Sequence, residues 1–244
     1  MKITVIGAGV IGGNLAARLS TAGHDVQVAD ARGPEAVAAE VLEAGARAVA
    51  LDDSVRDRDV IILAVPFGVQ PKLAELLATA PAEAVVVDTS NYYPGMSGPV
   101  EAIDSGVVES VWSQEQLGRP VVKAWNAALA ETQRERALPA GAPDRIAIPV
   151  AADSHEHRRT VMTLVDATGF DPFDAGVLAD SWRQQPGTPA YCTELGLDDL
   201  REALAAADKN TRAQTRDRIM AHLMTLDSEP SREEKVAHNR SATR

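Results

Sequence analysis

Three glycines, Gly7, Gly9 and Gly12, stand in the spacing G-x-G-x-x-G within VIGAGVIGGN, and Asp30 follows eighteen positions after the last of them. Each position has its own reason to lack a side chain. The first allows a tight turn, the second lets backbone approach a pyrophosphate, and the third lets a helix pack close to its strand. The amides of that helix's first turn, those of Val10 and Ile11 among them, then face the phosphates. The spacing alone is a weak signal. Here it follows an apolar run, opens a helical pattern and precedes an acid that closes the next apolar run, the context a dinucleotide site requires. Asp30 suits the two hydroxyls of an adenosine ribose, and Arg32, separated from it by Ala31, suits a 2′-phosphate. The two charges oppose each other, which predicts use of both NADH and NADPH.

The elements that must position these residues alternate regularly. Short β-branched runs at 2–7, 25–30, 47–50, 59–66, 84–90, 121–126 and 145–151 are separated by helix-like segments. Such alternation predicts an α/β fold: a Rossmann-type, doubly wound, mostly parallel sheet with a small C-terminal helical segment. The strands are continuous apolar runs, as strands covered on both faces are. Ligands of such sheets bind beyond the carboxyl ends of the strands. There the sequence offers Ala64, Val65, Pro66 and Phe67, then Asn91, then Ala124, Trp125 and Asn126. The apolar members are expected to wall a flat nicotinamide, and the two asparagines to hold its carboxamide. Asp88, Ser90 and Lys123 also lie at these strand ends, and Asp88, Ser90 and Asn91 serve equally well to shape a turn.

Composition narrows the function classes. With 35 acidic and 24 basic residues the net charge is −11, which lacks the basic footprint of a nucleic-acid or anionic-lipid surface. The single cysteine, Cys192, excludes an internal disulfide and a Cys-rich metal site. His155 and His157 fall among charged neighbours on a helical segment, so no metal is expected. The apolar N-terminus mimics a secretion signal, but Asn14 and Arg18 interrupt it, and no run is long enough to span a membrane. A soluble cytoplasmic protein is expected. No nucleophile elbow, phosphate-binding Walker loop or zinc-protease motif occurs, which fits direct hydride transfer, where the protein mainly aligns two rings.

Taken together, VIGAGVIGGNLAARLSTAGHDV, RGPE, LAVPF, VVDTSNYYP, PVVKAWN and SWRQQPGTPAY resemble the F420-dependent NADP oxidoreductase-like family of dinucleotide-binding reductases. The reductase domain of the STEAP metalloreductases is a more distant relative. The likeness runs from residue 1 to about 205. It implies NADP as cofactor, with NAD also admitted by Asp30, and a deazaflavin or flavin as second substrate. It places the cofactor site on the 7–12 loop, residues 30–32, the 64–67 turn and 124–126. Where NADP-using members carry a serine–arginine stretch for the 2′-phosphate, this chain has Asp30-Ala31-Arg32.

Three regions are expected: a dinucleotide-binding domain over 1–176, a small segment over 177–226, and a mobile polar tail over 227–244. The turn-rich 182–191 stretch reads as a lid over the acceptor or as a homodimer contact. Within it Trp182, Arg183, Gln185 and Tyr191 are the acceptor-pocket candidates. The expected activity is NAD(P)H-dependent reduction of a flavin-type ring or a small carbonyl or imine compound. A non-catalytic NAD(P)-sensing regulator is the alternative.

Overall fold

The computed structural model describes residues 1–243. Six strands, β1 (Lys2–Ile6), β2 (Asp25–Ala29), β3 (Arg47–Val49), β4 (Val60–Leu63), β5 (Val85–Asp88) and β6 (Val121–Lys123), form one sheet. Its order is β3-β2-β1-β4-β5-β6 and every pairing is parallel. This is the doubly wound Rossmann order, with its switch point between β1 and β4, where the first helix begins.

The connections are α1 (Val10–Thr21), α2 (Ala39–Glu43), α3 (Ala74–Ala78), α4 (Pro94–Ser97), α5 (Glu101–Asp104), α6 (Glu109–Leu117) and α7 (Ala130–Glu135). Alternate residues of each strand serve opposite faces. Val60 and Ile62 of β4 join Leu15 and Leu19 of α1 on one side. Ile61 and Leu63 join Leu77 and Leu117 on the other. Residues 34–43 do not form one continuous helix: a short 3₁₀ turn at Pro34–Ala36 is followed by α2, because Val37 adopts an extended backbone.

A second βαβ unit follows: β7 (Ala147–Val150), α8 (His155–Ala167) and β8 (Asp171–Asp174), its two strands pairing in parallel. Ser154 caps α8 by accepting the His157 N–H at 3.2 Å. The unit meets the main sheet through an antiparallel bridge between Lys123 and Ala151.

The chain then makes a 3₁₀ segment, Leu178–Gln184, and three helices, α9 (Leu197–Ala206), α10 (Arg212–Leu223) and α11 (Arg232–Ala242). The last corrects the expected mobile tail. Residues 232–242 form a helix with a complete capping box: Ser231 and Glu234 exchange side chain-to-backbone bonds. The helix docks through Arg232 on Glu194, Lys235 on Glu131 at 2.6 Å, and Arg240 Nε on the Thr193 carbonyl at 2.8 Å. Val236 and Asn239 are buried beneath it. Among the described residues no helix is long and apolar enough to cross a membrane.

Candidate functional site

The turn from β1 into α1 shows why two of its glycines cannot be replaced. Gly7 has φ of +106°, and a Cβ there would lie 2.3 Å from the Ala64 carbonyl oxygen. A Cβ on Gly12 would lie 1.9 Å from the Gly7 carbonyl oxygen, so the helix crosses its own turn at backbone contact. Gly9 differs. Its backbone is extended, and a Cβ there would meet no protein atom within 4 Å. No side chain caps α1, so its first-turn amides, from Val10 onward, are left for phosphate oxygens. Val10 itself is 60% exposed. A bare backbone cradle at a helix N-terminus is what a dinucleotide pyrophosphate needs, and these residues fit it.

At the end of β2, Asp30 and Arg32 prove to be partners. Arg32 donates from Nε to Asp30 Oδ1 at 2.8 Å and from Nη2 to Oδ2 at 3.2 Å. Asp30 also accepts the Ala8 N–H at 2.9 Å, tying the glycine turn to the neighbouring strand. The Arg32 guanidinium, followed by the backbone N–H groups of Ala8 and Arg32, holds the Asp30 carboxyl far below the usual carboxylate range. Arg32 is largely exposed and sits over the carboxylate, with Ala31 at the bend between them.

Across the crevice, Ala64 and Val65 are half-buried and Pro66 is exposed beside the glycine turn. The two aromatic wall residues are elsewhere, which corrects the expected nicotinamide platform. Phe67 turns into a cluster of its own, stacked on Trp112 at 4.9 Å and tilted against Tyr92 at 5.4 Å. Trp125 is 1% exposed, and its indole N–H donates to Thr168 Oγ1 at 3.2 Å. The backbone of Trp125 is left-handed, with φ of +58°. That bend sends the indole into the core beside buried Ala124 and returns Asn126 to the strand ends. There Asn126 Nδ2 donates to Asn91 Oδ1 at 3.1 Å and to the Gln184 carbonyl at 2.9 Å, while Asn91 Nδ2 donates to the Asn126 carbonyl at 3.0 Å. The two asparagines thus meet, locked as a pair with Gln184.

Beneath this pair lies a network that the sequence reading did not assemble. Lys123 Nζ donates to Asp88 Oδ2 at 2.7 Å and to the Ser90 carbonyl at 2.5 Å. Gln70 Nε2 donates to Asp88 Oδ1 and Ser90 Oγ at 2.6 and 2.7 Å. The available signal was that two neighbouring apolar strands each end in a charge, of opposite sign. Asp88 and Lys123 are register partners in the β5–β6 ladder.

The 182–191 stretch is a buried layer under α10 and α11. Gln185 and Thr188 are enclosed, and a Cβ on Gly187 would lie 2.2 Å from the Arg212 carbonyl. The four pocket candidates separate. Arg183 lies over the ring of Trp182 at 4.5 Å and donates to the Leu204 carbonyl at 3.1 Å, so both face α9. Gln185 is fully buried, and its amide has no partner among the described residues. Tyr191 faces the loop after β5, its hydroxyl 3.0 Å from that of Tyr93. Burial pushes the Tyr93 hydroxyl upward and the neighbouring Cys192 thiol up to about 12. Glu109, buried under α10, is raised by burial and offset by Arg212, whose Nη1 lies 3.0 Å away.

The family model for NADP oxidoreductase, coenzyme F420-dependent, matches residues 2–92, the span from β1 through the turn after β5. The protein YjhV of Escherichia coli K12 is 38% identical over 104 residues, which are 43% of this chain and 76% of that one. A 2-dehydropantoate 2-reductase of Mesorhizobium japonicum is 26% identical over 242 residues, with 88% of this chain and 73% of that one covered. Among solved structures, SMa0349 of Sinorhizobium meliloti superposes with a TM-score of 0.69 at 29% identity, over 80% of this chain and 95% of that one. The glycine turn, the strand order and these matches agree, and the chain belongs to the coenzyme F420-dependent NADP oxidoreductase family of dinucleotide-binding reductases.

Proposed function

We propose that this chain is an NAD(P)H-dependent oxidoreductase that passes a hydride to a second compound bound beyond the carboxyl ends of β5 and β6. The observation that carries the reading is the bare turn at Gly9 joined to Asp30 through the Ala8 amide, an arrangement that supports adjacent pyrophosphate and adenosine subsites. The first-turn amides of α1 hold the pyrophosphate. Asp30 accepts from the adenosine ribose, while the exposed Arg32 guanidinium receives a 2′-phosphate when NADP is bound. Val65 and Pro66 wall the nicotinamide end, and Asn91 and Asn126 supply fixed amide groups. Bound nicotinamide supplies the hydride, so the protein's part is to orient, to exclude water and to deliver a proton.

The acceptor classes are a flavin or deazaflavin ring and a small carbonyl or imine compound. The likeness to a protein named as a 2-dehydropantoate 2-reductase supports reduction as the direction. Mixing the protein with NADPH or NADH and a panel of both acceptor classes tests the reading. Consumption of reduced cofactor with at least one acceptor is expected. Tight cofactor binding with no consumption would make the chain a nucleotide sensor, and no binding would remove the reading altogether.

A further inference from the structure

A partly open cavity of about 80 Å³ lies between the loops that follow β5 and β6 and the C-terminal helices, a few residues along the chain from the amide pair. Tyr93, two residues past Asn91, and Leu129, three past Asn126, form its sheet side. Arg216, Met220 and Leu223 of α10 close it, with Tyr191 between. Pockets for drug-sized ligands run to roughly 300–1,000 Å³. This one admits only a few non-hydrogen atoms, far from a tricyclic ring.

Its chemistry is as specific as its size. Arg216 is 5% exposed, yet its two terminal nitrogens make no hydrogen bond among the described residues. Its Nε is 2.8 Å from Asp217, which faces water at 62% exposure, and its guanidinium lies 5.5 Å from the Tyr92 ring. The other charges nearby are spoken for. Lys235, also at the cavity, is held by Glu131 and Glu229, and Glu109 by Arg212 and the Tyr92 amide. A buried guanidinium with unused donors is a carboxylate receptor. Beside it stands a hydroxyl pair, Tyr93 and Tyr191, that burial keeps protonated.

We propose that this cavity is the acceptor site, that it takes a small 2-oxo or 2-imino acid, and that Arg216 binds the acid's carboxylate while Tyr93 protonates its reduced oxygen or nitrogen. The proposal rests on the reductase reading above and narrows its acceptor. The carbonyl or imine carbon gains the hydride from NAD(P)H, which is left as NAD(P)⁺. The π pair moves to the oxygen or nitrogen, which takes the Tyr93 proton. Tyr191 passes its own proton to Tyr93 and is reprotonated from solvent. The product is the corresponding 2-hydroxy or 2-amino acid.

Oxamate, an unreactive isostere of a 2-oxo acid, and its neutral counterpart oxamide provide a test that needs no turnover. Calorimetric titration of the full chain with NADP⁺ present is expected to show oxamate binding at least tenfold tighter than oxamide. Arg216→Gln should erase that difference and Arg216→Lys restore part of it, with NADP⁺ affinity unchanged in both. Tyr93→Phe should keep oxamate affinity within threefold while lowering kcat on a 2-oxo acid at least a hundredfold. Equal binding of oxamate and oxamide by the unaltered protein overturns the proposal, and that comparison does not depend on any variant folding. If NADPH is consumed by flavins while oxamate fails to bind, this inference falls and the reductase reading stands. If NADP⁺ itself fails to bind, the reductase reading falls too.

Discussion

Lys123 and Asp88 face each other across adjacent strands at 2.7 Å, both with side chains 0% exposed. An ion pair this deep gains stability only if its remaining hydrogen-bonding capacity is met, and Gln70 and Ser90 meet it. The pair therefore fixes the Thr89–Asn91 turn on which the crevice depends.

Removing one partner leaves the other charge stranded. Lys123→Met should cost about 3–5 kcal/mol, and the double change Lys123→Met with Asp88→Leu should cost less than that. Urea unfolding of the three proteins checks the order. A double variant weaker than Lys123→Met would mean that the network contributes more than pairing.

The glycines divide into two kinds. Gly9→Val adds atoms where the protein has none, so folding should be unchanged while NADPH affinity falls below detection. Gly12→Ala drives a methyl into the Gly7 carbonyl and should destabilise the fold by more than about 2 kcal/mol, as overpacking does. Unfolding curves and a fluorescence titration on each variant separate the effects.

Asp30 and Arg32 set the balance between cofactors. The paired charges predict a preference between NADPH and NADH below about tenfold in kcat/KM. Arg32→Ala should move it toward NADH, and Asp30→Asn, which leaves Arg32 uncommitted, toward NADPH. A preference above about a hundredfold in the unaltered protein would contradict this reading.

The same carboxylate predicts an acid limb. Because its folded pKa is depressed below the unfolded value of about 3.9, Asp30 stabilises the fold in full above that pH. The contribution is lost as the pH falls further, toward the folded pKa. Asp30→Asn should flatten this part of the stability curve, read from urea midpoints at a series of acid pH values.

The C-terminal helix is held by charge more than by apolar area. Arg232→Ala should loosen α11 selectively, raising amide exchange over 232–242 while β1 and β4 keep their protection. Uniform loosening of the whole chain would show that α11 is part of the cooperative core.

What the sequence could reveal follows from how tightly residue type is bound to position. Gly7 and Gly12 were legible because a Cβ at either would lie 2.3 or 1.9 Å from a backbone carbonyl oxygen, which excludes every other residue. The parallel sheet was legible because doubly covered strands must be apolar throughout. Phe67 and Trp125 were not, since an aromatic residue at a strand end has the same type whether it lines a crevice or enters the core. The decisive facts there are a left-handed backbone at Trp125 and, for Phe67, a stacking partner in the distant Trp112. The helix at 232–242 escaped because hydropathy sees one buried valine there and not the distant acids, Glu194 and Glu131 of α7, that hold its Arg232 and Lys235. The Asp30–Arg32 pair was seen as two competing charges, and two residues of separation cannot show that they bond to each other.

The bridge between Lys123 and Ala151 also governs how the sheet ends. An open strand at a sheet's margin offers unpaired amides and carbonyls to any passing chain. Here β6 spends part of its outer rim on Ala151, through bonds of 2.8 and 3.0 Å, and the opposite margin is β3, only three residues long. The long central strands are thus shielded from templating on another copy, and the chain guards against edge-to-edge aggregation with the same contact that seats its second βαβ unit.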